Sequence, residues 1–294
     1  MADGTSASQA AFYWTRTAGQ PVAGQVSLVR AYWPPQEAAH YGIQEAWPGE
    51  QGHPELLRLL EHDLRRDARS LAGAHDPPIR FRVASRDGAE GLSEDAKAMG
   101  ADALVMGVAR RPRVWSPIGA TTVLRAATVP VFCIPDTIRP AGQRMVPVRS
   151  LLLACDLSDS SKQAIAPAYG LLTGGGRVEL CHVNALGRPD LISGGPDISR
   201  LGDDERAAIE SQLRAAIPPE AADHGIATHV SVIDAPFIDE AILAAAERLD
   251  VDLVAVASHG RSGLPRALLG SVAEQIARRS PRPVLIVRGG STKK

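Results

Sequence analysis

The residues best suited to chemistry lie near the carboxyl end of the chain, where Ala257-Ser258-His259-Gly260 closes an apolar run. Nine residues later come Gly270-Ser271, which open a helix-like segment, and a second apolar run, Val284–Val287, follows. Small residues at the end of a strand, followed by Gly-Ser at a helix start, make a place for an anion. Backbone N–H groups can approach phosphate where no side chain intervenes, and the helix terminus adds partial positive charge.

His259 stands beside Gly260, but no second His, Cys or carboxylate is tied to it by spacing. We read it as a positioned or solvent-facing imidazole rather than a general base, a role that requires partner geometry. The P-loop, zinc-protease and nucleophile-elbow patterns are all absent from the sequence.

The same segment resembles the universal stress protein family, whose fingerprint is Gly, two residues, Gly, nine residues, Gly, then Ser or Thr. Ala257, Gly260, Gly270 and Ser271 fill those places in order, with Ala replacing the first glycine. The resemblance implies bound ATP. It assigns adenosine to Asp156 and Val183 and phosphate to Gly260, Gly270 and Ser271, with Ala257, Ser258 and His259 counted in the same nucleotide-binding stretch. It also implies that any magnesium ion is held mainly by the phosphates, so no dedicated metal ligands are expected. Physically, the Asp156 carboxylate can accept from an amine or a ribose hydroxyl, and Ser271 can donate to a phosphate oxygen. Two plainer readings stand beside this one. Asp156-Leu-Ser could cap the helix that follows, and the two glycines could serve tight turns alone.

The elements that position these residues occur twice, at an offset of about 150 residues. Asp102-Ala-Leu-Val-Met-Gly107 mirrors Asp252-Leu-Val-Ala-Val-Ala257, and Val129–Ile134 mirrors Arg282–Val287. Ser27–Tyr32 mirrors Glu179–Asn184, and Asp3-Gly-Thr-Ser6 mirrors Asp156-Leu-Ser-Asp159. The sequence thus predicts a first domain over 1–136, a Pro- and Gly-rich linker over 137–148, and a second domain over 149–290.

In the second copy, apolar strands are expected at Leu151–Cys155, Val178–Val183, Thr228–Ile233, Leu253–Ala257 and Val284–Val287. Helices are expected from the Asp156 turn to Leu172, stopped by Gly174–Gly176, and over Asp203–Ala216 with Asp203 as N-cap. Two more are expected over Pro236–Leu249 and Ser271–Arg279. Continuous apolar strands alternating with helices predict an α/β fold of two tandem, doubly wound, open parallel sheets, Rossmann-like, which is also the universal-stress-type architecture. In such a sheet a ligand sits beyond the strands' carboxyl ends, where the strand order reverses.

The first copy is degenerate. Gly107 is kept, but Arg110 holds the second glycine place, eight residues separate it from Gly119, and Ala120 follows. Arg110-Arg-Pro-Arg113 reads as a solvated loop in a domain that has lost its ligand. Trp14, Trp33, Trp47 and Trp115 all fall in this half, suited to packing or a partner surface. Only Met1-Ala2 precede the Asp3 turn, so the strand matching Leu151–Cys155 is expected to be missing, and Met1 is expected to lie downstream of the true start.

At 294 residues with 45% apolar and 4% aromatic content, the chain can build two aliphatic cores. A net charge of −1 argues against bulk binding to nucleic acid or anionic membrane. No apolar run reaches the ~20 residues of a membrane span, and no signal peptide opens the sequence, so a cytoplasmic protein is expected. Cys133, Cys155 and Cys181 read as buried free thiols, with a Cys155–Cys181 redox pair as the weaker option. The functional expectation is an ATP-binding regulator or sensor of stress, turning nucleotide over slowly at most. It would act as a homo-oligomer or intrachain pseudo-dimer and pass its state to a protein partner. The alternative is an interaction scaffold that binds no nucleotide and pairs through its apolar edge strands.

Overall fold

The computed structural model describes residues 9–11, 14–15, 26–32, 38–43, 54–72, 79–83, 88–109, 120–138, 147–172, 174–187, 200–259 and 269–288. The chain divides into two compact units, Met1–Pro147 and Val148–Lys294.

In the second unit the strands are β5 (Ser150–Ala154), β6 (Gly176–Ala185), β7 (Ile226–Ala235), β8 (Leu253–Ala257) and β9 (Val284–Val287). Four of them precede a helical segment: α4 (Asp159–Gln163) and α5 (Ile165–Tyr169) follow β5, and α6 (Asp203–Ala215) with the short α7 (Glu220–Asp223) follows β6. Helix α8 (Ile238–Arg248) follows β7, and α9 (Ser271–Arg279) follows β8. Within this unit the strand order is β9-β8-β5-β6-β7, and every pair is parallel. The order reverses at β5, the topological switch of a doubly wound sheet.

Leu151, Leu152, Leu153, Leu253, Val254, Val284 and Ile286 are all buried. Runs of this kind belong to a parallel sheet covered on both faces, which is why they do not alternate with polar residues. Helices α8 and α9 lay Ile242, Ala245, Ala246, Ala273, Ile276 and Ala277 into the core. So many alanines let helix and sheet approach closely, which explains how a chain poor in aromatic residues fills its interior.

The first unit contains β1 (Leu28–Tyr32), α1 (Pro54–Ala72), β2 (Ile79–Val83), α2 (Gly88–Ala98), β3 (Leu104–Val108), α3 (Ala120–Ala126) and β4 (Val131–Pro135). Here β1 pairs with β2, and β3 pairs with β4, both in parallel. By the repeat, β1 to β4 correspond to β6, β7, β8 and β9. No strand corresponding to β5 occurs among the described residues. Strand β3 is only half-buried at Leu104 and Val105, whereas the matching Val254 and Ala255 of β8 are covered.

Several local expectations are corrected. The helix expected to run to Leu172 breaks at Ala164 and ends at Tyr169, capped by Gly170 in a helical conformation. Gly174–Gly176 therefore does not stop it. Those glycines instead lead into β6, with Gly175 at φ 79 and Gly176 at φ 154. Asp203 is the first residue of α6 rather than its cap, which is Gly202. The Gly202 N–H donates to Glu205 Oε2 at 3.0 Å, the carboxylate half of a capping box. Strands β6 and β7 also run two residues further at each end than the apolar pattern suggests.

Candidate functional site

Strands β5 and β8 end within a residue of each other, and β6 runs alongside β5 and four residues past its end. Ala154 is level with Cys181 on one side and with Val256 on the other. Extending that register by two residues sets Asp156 beside Val183 and beside Ser258. A Cys155 N–H to Cys181 carbonyl bond of 2.9 Å continues the ladder past the end of β5. Residues more than 100 positions apart in sequence are thereby gathered at the carboxyl edge of the switch strand.

Asp156 opens a tight turn. Its Oδ1 accepts from the Ser158 N–H at 3.0 Å and from the Ser158 hydroxyl at 2.6 Å. Between them Leu157 sits at φ 66, the left-handed region that L-residues with large side chains rarely adopt. The N-cap of α4 is Ser158, whose hydroxyl accepts from the Ser161 N–H at 3.2 Å. Asp156 thus braces the cap rather than serving as the cap itself.

The Ser258 side chain is fully buried. Its N–H donates to the Val287 carbonyl at 2.9 Å, and its own carbonyl accepts from Gly270 N–H at 2.8 Å. Its hydroxyl shares a 2.8 Å hydrogen bond with His259 Nδ1. The adjacent serine thus helps to orient the imidazole. Ala257, half-buried, is the last residue of β8.

Gly270 is the N-cap of α9, at φ −65 and ψ 142. Any residue can adopt that backbone, so glycine is not needed for conformation. Its bearing is on space: a Cβ there would lie 3.3 Å from Ser258 O and 3.8 Å from His259 Cα, the first of these tighter than most Cβ contacts. The end of β8 and the start of α9 are thus drawn close enough that an added Cβ would push its neighbour by a few tenths of an ångström. Exposed Ser271 then begins the helix, where backbone N–H groups have no intrahelical partner. Such a cradle of bare backbone beside a helix N-terminus suits the phosphate chain of a nucleotide. Gly260 lies outside the described residues.

The structure thus gathers Asp156, Val183, Ala257, Ser258, His259, Gly270 and Ser271 at one end of one unit. It adds three residues that sequence reasoning missed. Asn184 and Asp234 are register partners near the carboxyl ends of β6 and β7, and Arg206 of α6 donates to Asp234 Oδ2 at 2.5 Å. The hydrogen bond from Asn184, then the Arg206 guanidinium, hold the Asp234 carboxyl below its ordinary range, against a burial effect that pushes it up. No spacing motif marks these three. The available signal was a polar residue ending each of two neighbouring strands.

The thiols are less promising. Because Ala154 is level with Cys181 and successive residues alternate faces, Cys155 and Cys181 stand on opposite faces of the sheet. A disulfide between them is excluded. Burial pushes the Cys133 thiol up to about 12 and that of Cys181 up to about 11. Among the described residues no cluster of three or more His, Cys, Asp or Glu side chains could hold a metal ion. Nor is any described helix long and apolar enough to cross a membrane.

In the first unit Trp14 packs against Phe132 with ring centroids 4.9 Å apart. Gly107 lies in β3, and Ala120 is the first residue of α3. Trp33, Trp47, Trp115, Arg110–Arg113 and Gly119 lie outside the described residues.

The sequence profile of the universal stress protein family matches residues 1–135 and again 147–288. The chain belongs to this family. Two curated universal stress proteins of Methanocaldococcus jannaschii match shorter segments. One is 43% identical over 49 residues, covering 17% of this chain and 30% of the relative. The other is 35% identical over 68 residues, covering 23% and 39%. The chain therefore spans only about a third of the length of these universal stress proteins. A universal stress protein from Archaeoglobus fulgidus DSM 4304, known from its crystal structure, matches over 98% of this chain and 96% of its own. Its TM-score is 0.63 at 19% identity, a likeness of fold.

Proposed function

We propose that the second unit binds an adenine nucleotide, with ATP and magnesium as the physiological pair, and that the protein acts as a stress-response regulator. The observation that carries this reading is the closure of Ser258 onto Gly270 at the level of Asp156 and Val183. Asp156 and the backbone of Val183 would hold the adenosine, on the family pattern. The phosphates would lie against the backbone of Ala257, Ser258 and Gly260 and the start of α9 at Gly270 and Ser271. His259, oriented by Ser258, would face the same anion. Bound ATP brings a triphosphate whose charge magnesium partly offsets. What the chain supplies is orientation and N–H donors, and we assign it no catalytic residue. Nucleotide binding would fix the segment between Ser258 and Ser271 and present it to a partner.

The test is calorimetric titration of ATP with magnesium into the wild type and into Gly260→Asp. A carboxylate at position 260 fills the cradle and repels phosphate. One site per chain, lost in the variant, is the expected result. Two sites would mean that the first unit also binds. No heat, with no competition against a labelled analogue, would overturn the proposal and leave the scaffold reading.

A further inference from the structure

Two polar side chains end neighbouring strands beside the nucleotide site. Asn184 follows Val183 directly and is level with Asp234. Its Nδ2 donates to Asp234 Oδ1 at 2.8 Å. The other carboxylate oxygen accepts from Arg206 Nη2, and Arg206 Nη1 donates to the Val232 carbonyl. Asp234 is only 12% exposed in its side chain, and Arg206 31%. Strand β7 and helix α6 are thus tied together over this carboxylate.

The arrangement decides which way the Asn184 amide faces. An ionised carboxylate accepts hydrogen bonds and donates none. The same two partners hold the Asp234 carboxyl below its ordinary range, so it is ionised at neutral pH. Asn184 must offer it nitrogen, because the flipped amide would set oxygen against oxygen. Asp234 takes up one amide N–H, so the amide oxygen and the second N–H remain for another partner, one residue beyond Val183. Oxygen as acceptor and nitrogen as donor, side by side, complement the exocyclic amine and adjacent ring nitrogen of adenine. Guanine carries a carbonyl oxygen where adenine carries that amine, and it would meet the amide oxygen with a second acceptor.

We propose that Asn184, oriented by Asp234 and Arg206, selects adenine over guanine in this site. The inference rests on the nucleotide reading above and adds a base-reading residue to it. Asp234 and Arg206 are positioning residues. They act only by fixing the amide.

The experiment is paired titration of ATP and of GTP, each with magnesium, into the full chain. The variants are Asn184→Leu, Asp234→Asn and Asn184→Gln, and their folding is checked by thermal melting. The wild type is expected to prefer ATP by about ten- to a hundredfold, the discrimination of one bidentate pair. Asn184→Leu should bring the two affinities together by weakening ATP. Asp234→Asn can donate to the amide oxygen and so permits the flip, which should lower the ratio as well. If the Leu variant does not fold, Asn184→Gln serves: it keeps both groups but displaces them by one methylene, and should also lower the ratio. A merely structural role would weaken both nucleotides alike. An unchanged ratio in the folded variants, or equal wild-type affinities, overturns the Asn184 assignment while ATP binding stands. If the wild type binds neither nucleotide, the nucleotide reading itself falls and this inference with it.

Discussion

Replacing Gly176 by alanine should strongly destabilise the second unit, and the size of the loss follows from the geometry. Gly176 has φ +154, and a Cβ there would lie 2.5 Å from the Arg149 carbonyl oxygen and 3.3 Å from Leu172 Cδ2. The oxygen cannot simply retreat, because it accepts the Arg177 N–H at 2.9 Å where β5 and β6 begin. Backbone strain of this kind costs on the order of 1–3 kcal/mol, and loss of the Arg177 bond about 1 kcal/mol more. Against this, alanine restricts the unfolded chain and returns about 0.4–1 kcal/mol. The net loss is about 1–3.5 kcal/mol. For a unit of this size that lowers the melting temperature by about 3–12 °C. Gly174→Ala is the control, since its Cβ would meet only the flexible end of Arg149, at 3.5 Å. All four tryptophans lie in the first half of the chain. A transition seen by circular dichroism but not by tryptophan fluorescence therefore reports the second unit. Equal melting of the two variants, or a Gly176→Ala midpoint within about 2 °C of wild type, would refute the reasoning.

Asp252 should prove a major anchor of the switch strand. Its Oδ2 accepts from the Arg149 N–H at 2.9 Å and from the Ser150 N–H and hydroxyl at 2.8 Å each. Asp252→Ala is expected to cost about 2–3 kcal/mol by urea unfolding and Asp252→Asn less, since an amide oxygen still accepts; equal losses would contradict this. Cys133 and Cys181 are raised to about 12 and about 11, from an ordinary 9.0. Unfolded thiols would release protons that the folded ones keep, so this contribution to stability is intact below pH 9 and is lost as pH rises from there toward 11–12. The urea midpoint should fall over that range, and Cys181→Ala should flatten the fall. At pH 8 both thiols should resist a disulfide reagent until the protein unfolds.

The fold was legible because its strands are runs of aliphatic residues that no other element explains. Leu253–Ala257 and Val284–Val287 have the same bounds in sequence and structure. Where tertiary contacts decide, the pattern fell short. The polar ends of β6 and β7 are strand because each ladders with the other, from Gly176–Ile226 to Ala185–Ala235, a pairing that neither segment announces alone. Gly174–Gly176 looked like a helix stop, yet its glycines answer to the close approach of Gly225 and Arg149. At the site, Gly270 and Ser258 were found by the spacing of the family fingerprint that the segment resembles. Asn184, Asp234 and Arg206 escaped because they meet through space, across intervals of 50 and 28 residues.

The place of β5 in the sheet also bears on how the protein emerges from the ribosome. This strand is the first of its unit to be made, yet Leu151 finds its β8 partner in Leu253, and Ser150 its carboxylate in Asp252, 102 residues later. At about 5–20 residues per second, one edge of an apolar Leu-Leu-Leu strand waits roughly 5–20 seconds for its neighbour. The unit cannot complete its sheet until nearly all of it has been synthesised. Its nascent chain is therefore a natural client for a chaperone that shields an open strand edge, and slowing translation before Asp252 should lengthen that exposure.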